Sequence, residues 1–119
     1  MAQRFEDLEI WKRSVQLSIK IYKCFKFSKD FGFKDQITRS SLSVPSIIAE
    51  GYERESNKEF IRFLFIAKAS CGELRTQIKI AIEIEYLELV LGSELAKEAE
   101  EISYMLNAFI KKRKEFNQQ

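Results

Sequence analysis

The chain has 119 residues, of which 45% are hydrophobic and 32% charged, and its formal net charge is +2. This length suits one domain with its own core, and the hydrophobic content argues against a disordered chain. Four glycines and one proline are too few for the turns of a β-rich fold, and the absence of histidine excludes a Ser-His-Asp triad and histidine-containing metal sites. We therefore expect a single all-α domain over residues 1–119 that is not an enzyme.

Hydrophobic periodicity predicts four α-helices, with breaks near Gly32, Gly51 and Gly92. The expected helices cover about 8–27, 34–53, 57–87 and 94–116. Short connections between long helices favour an up-down-up-down antiparallel four-helix bundle. No apolar run is long enough to cross a membrane, and the N-terminal residues lack the apolar segment of a signal peptide.

The sequence contains a signal for the start of helix one and a signal for a bend within helix two. Asp7 precedes the first periodic apolar residues and is the expected N-cap of helix one. Pro45 lies within helix two, where it lacks an N–H and its ring clashes with the carbonyl of Ser41. We therefore expect helix two to be kinked at Pro45, with neighbouring serine hydroxyls satisfying the freed backbone groups.

Helix three opens with a capping-box pattern, in which the hydroxyl of Ser56 accepts from the amide of Glu59. Gly72 lies in its interior and lowers its propensity, so we expect another helix to approach closely at that point. Helix four has its acidic residues early and its basic residues late, the order that the helix dipole favours.

The apolar arcs of helices one and three are wider than a solitary four-helix bundle needs. Trp11, Ile61 and Phe65 lie away from the main core lines and are the expected oligomer-interface residues. The alternative is that these are scattered surface hydrophobic residues, which are normal singly.

Basic residues form stripes on two of the predicted helices. Lys68, Arg75 and Lys79 share one face of helix three, and Lys12 and Lys23 share one face of helix one. Repeated around a symmetric ring, these stripes would attract phosphates, whereas in an isolated chain they could be ordinary solvated faces. The C-terminal Lys111, Lys112, Arg113 and Lys114 are either a further phosphate-binding segment or a soluble helix end.

Other polar residues have structural interpretations. Arg39 and Glu50 share one face of helix two, where with Glu53 and Arg54 we expect them to form structural ion pairs. Acidic residues of the second half could in principle hold Mg²⁺ for a nuclease, although acidic helix faces are common. These are Glu83, Glu85, Glu100 and Glu101.

Cys24 and Cys71 are the two cysteines of the chain. Two cysteines cannot build a zinc site by themselves, and a lone pair is weak evidence for a disulfide. We interpret both as buried thiols in a reducing cytoplasm, and we expect no metal or other cofactor.

Several motifs together resemble one family. They are Phe5–Trp11, Phe31–Phe33, Gln36–Arg39, Val44-Pro45, Ile48–Gly51, Arg54 and Glu59–Ala67. This succession is similar to that of the four-helix-bundle proteins encoded in intervening sequences of bacterial 23S ribosomal RNA genes, and it covers nearly the whole chain. The chain departs from the family pattern at Ser40-Ser41, where Arg-Ala is commoner, at Ile47, where Asn is common, and at Ala69, where Gly is frequent.

The resemblance implies a four-helix bundle that assembles as a homopentamer. Similar accessory variability proteins of diversity-generating retroelements bind a reverse transcriptase and nucleic acid, and no catalytic role is implied. In a fivefold ring each subunit places one patch against a different patch of the next, so a basic stripe would appear five times.

The sequence therefore predicts a cytoplasmic, non-enzymatic homopentamer that binds structured nucleic acid, most readily RNA, through repeated basic surfaces. The first alternative is an interaction adaptor whose ring docks a reverse transcriptase or another enzyme. The second is a metal-dependent nuclease that uses Glu83 or Glu85. No membrane partner is expected.

Overall fold

The computed structural model describes the backbone of residues 4–117 and the side chains of residues 4–116, so both ends of the expected 1–119 domain lie outside the described residues. Within this range the chain is all-helical, as predicted, with four α-helices and no strand. A short 3-10 turn, Phe5–Asp7, precedes α1 (Glu9–Cys24), α2 (Phe31–Tyr52), α3 (Asn57–Glu83) and α4 (Leu89–Asn117). None of the described helices is both long enough and apolar enough to span a membrane.

The four helices surround one shared hydrophobic core. Helix α3 packs against α2 and α4, and α1 packs against the same two helices. The largest fully buried side chains come from all four helices and from the turn after α1, and they include Leu17, Phe25, Ile48, Leu64, Ile78 and Leu106. The resulting body is elongated, with extents of 50 × 20 × 20 Å.

The helix starts differ from the expected ones for local reasons. The N-cap position of α1 is Leu8, so the prediction of Asp7 as the cap was wrong: Asp7 belongs to the preceding 3-10 turn. Helix α2 begins at Phe31 rather than near residue 34, because the carboxylate of Asp30 accepts from the N–H of Phe33 at 3.1 Å and caps the helix there.

The three glycines expected in breaks lie inside the helices instead. Gly32 is in the first turn of α2, Gly51 is in its last turn, and Gly92 is in the first turn of α4. Close packing explains two of them. A Cβ at Gly51 would lie 2.4 Å from the Cβ of Phe63 on α3, and a Cβ at Gly92 would lie 2.4 Å from Ile82.

Gly72 does not have the role predicted for it within this chain. A Cβ built at Gly72 meets no atom within 4 Å, so no other helix of the chain approaches there. The close approach in this bundle is at Gly51, where α2 meets the first turns of α3. Propensity identified an unusual glycine, but it could not show which side of α3 faces solvent.

Helix α2 runs through Pro45 as one continuous helix. The hydroxyls of Ser40, Ser41 and Ser43 donate to backbone carbonyls one turn earlier, at distances of 2.8 to 3.0 Å. The carbonyls that they reach belong to Gln36, Thr38 and Ser40, so these three bonds do not satisfy the Ser41 carbonyl that Pro45 leaves without its helical partner. The kink itself stays a prediction.

Helix α3 has well-defined ends. The hydroxyl of Ser56 accepts from the N–H of Glu59 at 3.1 Å, which confirms the predicted cap. At the other end, the N–H of Tyr86 donates to the carbonyl of Ala81 and that of Glu85 to the carbonyl of Ile82. These are the two hydrogen bonds of a Schellman motif, and Glu85 occupies its left-handed position with a φ of 65°.

Candidate nucleic-acid interface

The predicted stripe of α3 lies along the side of the helix that faces α4. Lys68 donates through Nζ to Oδ1 of Asn107 at 3.2 Å, and Arg75 pairs with Glu100 at 2.5 Å. Lys79 is exposed and has no acidic partner within 4.0 Å among the described residues. Helix α4 therefore supplies partners to two residues of the stripe, and Glu100 neutralises the charge of Arg75 at its centre.

The α1 stripe faces outward. Lys12 lies 3.7 Å from Glu9, and Lys23 is exposed at the rim of an apolar groove. Two further cations of α1 are committed to α4, since Arg13 pairs with Glu101 at 2.9 Å and Lys20 pairs with Glu98 at 2.6 Å. Because α1 and α3 each pack against α2 and α4 rather than each other, the two stripes lie on different sides of one chain.

The four C-terminal cations divide into two kinds. Arg113 is half-buried: its Nε donates to Oδ1 of Asn57 at 2.7 Å, and its guanidinium lies 5.3 Å from the ring centre of Phe60 and 5.3 Å from that of Phe116. These contacts hold the end of α4 against the start of α3. Lys114 lies over the ring of Phe65, at 5.0 Å. Lys111 and Lys112 are exposed and available to a ligand.

Four residues were expected to form structural ion pairs, and one of them, Glu53, has no cationic partner within 4.0 Å among the described residues. Arg54 pairs with Glu50 at 3.1 Å, one turn away on α2 and its C-cap region. Arg39 pairs with Asp35 at 3.0 Å rather than with Glu50, because a partner four residues away is within reach of the side chain and one eleven residues away is not.

The three residues expected at an oligomer interface have different environments. Ile61 is buried in the core of the single chain, so it does not contribute an exposed surface. Trp11 is half-buried against the core, with its ring centre 5.4 Å from that of Phe5. Phe65 of α3 is 44% exposed, although Nζ of Lys114 on α4 lies over its ring. Other exposed apolar residues of α3 are Ile66 and Ile80.

Residues 4–116 contain no group of three or more acidic or cysteine side chains placed to hold a metal ion. Glu100 and Glu101, considered as metal ligands above, each pair with an arginine of another helix. Burial raises the pKa of the Cys71 thiol to about 11, which keeps it protonated and unreactive near neutral pH.

Both cysteines are free thiols. Cys71 is buried and donates to the carbonyl of Ala99 at 3.0 Å, whereas Cys24 is half-buried. The expectation of two buried thiols therefore fits Cys71 and overstates the burial of Cys24.

Sequence reasoning missed a basic and aromatic cluster where α1 turns into α2. We define the turn cluster as Lys23, Lys26, Phe27, Lys29, Phe31 and Lys34. Phe27 is 86% exposed and Phe31 is 72% exposed. The interleaving of lysine and phenylalanine in this short segment was the available signal, but it was obscured because the segment was divided between a predicted helix end and a break.

The comparisons with known proteins agree with this architecture. The family model of the 23S rRNA-intervening sequence proteins matches residues 6–108. The chain therefore belongs to the 23S rRNA-intervening sequence protein family, which confirms the resemblance found in the sequence.

One solved structure is similar over most of its length. It is described as a protein with unknown function from the S23 ribosomal protein family of Bacteroides thetaiotaomicron VPI-5482. The two structures share a TM-score of 0.80 and 26% sequence identity, over 86% of this chain and 98% of the other. The search of curated proteins found no match.

Proposed function

We propose that this protein is a non-catalytic, cytoplasmic homo-oligomer, a pentamer, that binds structured nucleic acid, and RNA in particular, through basic surfaces repeated around the ring. The observation that carries the proposal is the set of exposed cations on α1 and in the turn after it. Lys23, Lys26 and Lys29 are exposed and have no acidic partner within 4.0 Å among the described residues. Such cations can neutralise phosphates without first breaking an ion pair.

Exposed apolar surface supports the proposed assembly. Phe65, Ile66 and Ile80 each expose more than two-fifths of their surface on α3, and Gly72, two turns after Phe65 on the same side of the helix, has open space above it. Exposed apolar residues mark interaction surfaces, and a residue without a Cβ allows the backbone of a second copy to approach closely. The unexplained glycine of α3 then has a role between chains rather than within one.

The proposal includes the up-down-up-down antiparallel order of the helices and the kink of α2 at Pro45. Support for antiparallel order comes from the pairs that join α3 and α4. Asn57 at the start of α3 bonds Arg113 near the end of α4, whereas Arg75, later in α3, pairs with Glu100, earlier in α4. Support for a kink is the N–H that Pro45 lacks.

Light scattering at micromolar concentration tests the assembly. We expect the mass of five chains, and the mass of a single chain would overturn this part of the proposal. RNA binding is tested separately by titrating an RNA hairpin at several salt concentrations. Affinity should fall steeply with salt, and binding that is absent or independent of salt would refute the nucleic-acid role.

A matched pair of triple variants tests the basic stripe. Lys68→Gln, Arg75→Gln and Lys79→Gln together should weaken binding and reduce the slope of log K against log salt concentration by about 0.7–0.9 for each phosphate contact that is lost. The control variant removes the same number of charges elsewhere on the surface, at Lys58, Arg62 and Lys97. Equal loss of affinity in the two variants would show that the stripe has no special role.

An apolar groove between α1 and α2 favours a second candidate function, an adaptor that docks a reverse transcriptase or another protein. Val15, Ile19 and Tyr22 of α1 line this groove of about 380 Å³ together with Leu42 and Pro45 of α2. The adaptor hypothesis predicts a protein complex that survives nuclease treatment. Replacement of Leu42 by Glu should disrupt that complex and leave RNA binding unchanged.

A further inference from the structure

The turn cluster places two large aromatic side chains in solvent. Four phenylalanines lie between residues 25 and 33, and the core uses only two of them: Phe25 is buried and Phe33 is half-buried against it. Phe27 and Phe31 are left outside, with 86% and 72% of their surfaces exposed. They contribute little to the stability of the single chain, because burial is what makes an aromatic side chain stabilising.

The turn that presents these rings is anchored on both sides. The hydroxyl of Tyr86 donates to Oδ2 of Asp30 at 2.7 Å, and the ring of Phe33 packs edge-on against Tyr86 with centroids 5.5 Å apart. Within the turn, Nζ of Lys34 donates to the carbonyl of Lys26 at 3.1 Å. The exposed rings therefore project from a turn that is fixed to the rest of the bundle, which lowers the entropy cost of binding to them.

The charge around the rings is strongly positive. Four lysines lie within four positions of these rings along the chain, and the single acid between residues 23 and 34 is Asp30, whose two carboxylate oxygens are occupied by Tyr86 and Phe33. Nζ of Lys26 lies 5.5 Å from the ring centre of Phe27. The surface thus combines cations for phosphates with aromatic faces for stacking, the two features of surfaces that bind unpaired nucleic acid strands.

We infer that Phe27 and Phe31 are a stacking platform for unpaired bases of RNA, with the lysines of the turn cluster contacting the phosphates on either side. This inference rests on the proposed nucleic-acid function and deepens it, because it specifies loops, bulges or free ends as the part of a structured RNA that is bound here. Bases in such regions are unstacked and can be placed on aromatic side chains, whereas bases of a duplex cannot.

A nucleic acid strand fits this surface better than a lipid bilayer does. The two rings make no ring contact with each other in the described part of the chain, so the exposed apolar area is two separate rings rather than one stacked pair. Membrane binding by an interfacial segment scales with buried apolar area, which is small here. Bases that stack individually need only individual rings.

The test compares two RNAs and two double variants. The RNAs are a hairpin with an adenine loop and a blunt duplex with the same stem, and the variants are Phe27→Leu with Phe31→Leu, and Phe27→Tyr with Phe31→Tyr. We expect the parent protein to prefer the hairpin, the leucine variant to lose about tenfold or more of its affinity for the hairpin alone, and the tyrosine variant to retain it. Because the parent protein already has four tyrosines, quenching of tyrosine fluorescence by the hairpin that is greater in the tyrosine variant than in the parent would report stacking on the introduced rings.

Each other outcome overturns the inference in a recognisable way. Equal binding of hairpin and duplex, unchanged by leucine, refutes the stacking platform and leaves the proposed nucleic-acid function intact. Binding of neither RNA refutes both. Loss of assembly in the leucine variant, measured by light scattering, would show that a second copy covers the rings. Binding to vesicles of phosphatidylcholine and phosphatidylserine that leucine preserves, without RNA binding, would assign the surface to a membrane.

Discussion

Tyr86 and Asp30 lie 56 positions apart in the chain and are joined by a 2.7 Å hydrogen bond from the tyrosine hydroxyl to the aspartate carboxylate. The bond links the turn between α3 and α4 to the turn between α1 and α2. The same carboxylate also caps α2 through Phe33, so one aspartate both starts a helix and fixes the turn before it. The turn cluster is positioned by this pair.

Replacement of Tyr86 by Phe should destabilise the fold over a defined range of pH. The hydrogen bond from Tyr86, with that from the N–H of Phe33, lowers the pKa of Asp30 below its ordinary value of 3.8. The same bond raises the pKa of Tyr86 above its ordinary value of 10.0. The hydrogen bond between Tyr86 and Asp30 therefore contributes its full stabilisation between pH 3.8 and pH 10.0, the ordinary pKa values of the two groups. It is lost as the pH falls through the lowered pKa of Asp30 or rises through the raised pKa of Tyr86.

Urea denaturation at neutral and at acidic pH measures this effect. Parent and Tyr86→Phe proteins should differ in midpoint at neutral pH and converge once Asp30 is protonated. Tyr104→Phe is the control, because Tyr104 is exposed on α4 and its replacement should leave the midpoint unchanged. A difference that persists unaltered under acid would show that the Asp30 carboxylate is not the relevant acceptor.

Replacement of Glu85 by Gly should stabilise the protein by about 1 kcal/mol, because glycine has no Cβ to oppose a φ of 65°. The hydrogen bonds of the Schellman motif are made by the backbone and survive the change. Chemical denaturation gives the free energy of unfolding. Lys79→Gly, in the interior of α3, is the matched control and should lose about 1 kcal/mol. A loss at position 85 would mean that the Glu85 side chain has a compensating contact in solution.

Replacement of Gly51 and of Gly72 by alanine should have opposite effects on the stability of the single chain. Gly51→Ala places a Cβ 2.4 Å from the Cβ of Phe63 and should destabilise the protein by about 1–3 kcal/mol, reduced by the better helix propensity of alanine. Gly72→Ala meets open space and should stabilise a single chain by about 1 kcal/mol.

Thermal unfolding at two protein concentrations distinguishes the effect of each substitution on the single chain from its effect on the oligomer. If α3 docks a second copy at Gly72, alanine there should raise the midpoint at low concentration and lower it at high concentration, where the oligomer dominates. Gly51→Ala should lower the midpoint at both concentrations. A stabilising effect of Gly72→Ala at every concentration would count against a close approach between chains at this residue.

Cys71 and Cys24 should react with iodoacetamide at very different rates. Burial raises the pKa of Cys71 to about 11, so at about pH 8 its thiolate fraction is very small and its sulfur is covered. Burial also raises the pKa of Cys24, but this thiol is only half-buried and should react first. Mass spectrometry of the alkylated protein gives both rates, and equal rates in denaturant are the control. Rapid modification of Cys71 in the folded state would indicate local opening between α3 and α4.

Arg113→Ala should lower the free energy of unfolding by about 1 kcal/mol or more, whereas Lys112→Ala should leave it nearly unchanged. Arg113 bonds Asn57 and lies against the rings of Phe60 and Phe116, and Lys112 is exposed. Urea denaturation compares the two variants, which remove the same charge. Equal stabilities would mean that the aromatic contacts of Arg113 are not maintained in solution.

The number of helices and the Ser56 cap followed from sequence, because periodicity and capping are local properties of the chain. The exposure of Phe27 and the burial of Ile61 did not, since both depend on which side of a helix another helix covers. Gly51 illustrates the same limit. The sequence predicted a break near Gly51, but this residue lies inside the last turn of α2, and the reason is a close approach to Phe63 that only the packing of α2 on α3 reveals.

The candidate site was predicted in part. The stripe of Lys68, Arg75 and Lys79 is one face of α3, as helical geometry required, yet its pairing with α4 could not be deduced from α3 alone. Arg113 is the clearest difference. The four basic residues at 111–114 are equivalent in the sequence, but in the folded chain Arg113 packs against the rings of Phe60 and Phe116.

The length of α3 determines how many nucleotides a bound strand needs to contact both ends of the helix. The helix has 27 residues and spans about 40 Å between the turn that contains Tyr86 and the end held by Asn57 and Arg113. A stacked strand rises about 3.4 Å per nucleotide, so contact with both ends requires about 12 nucleotides. If the bound protein protects fewer than about 12 nucleotides from nuclease digestion, the strand contacts only one end of α3. The length of the protected fragment would therefore show whether one strand contacts both ends of the same chain.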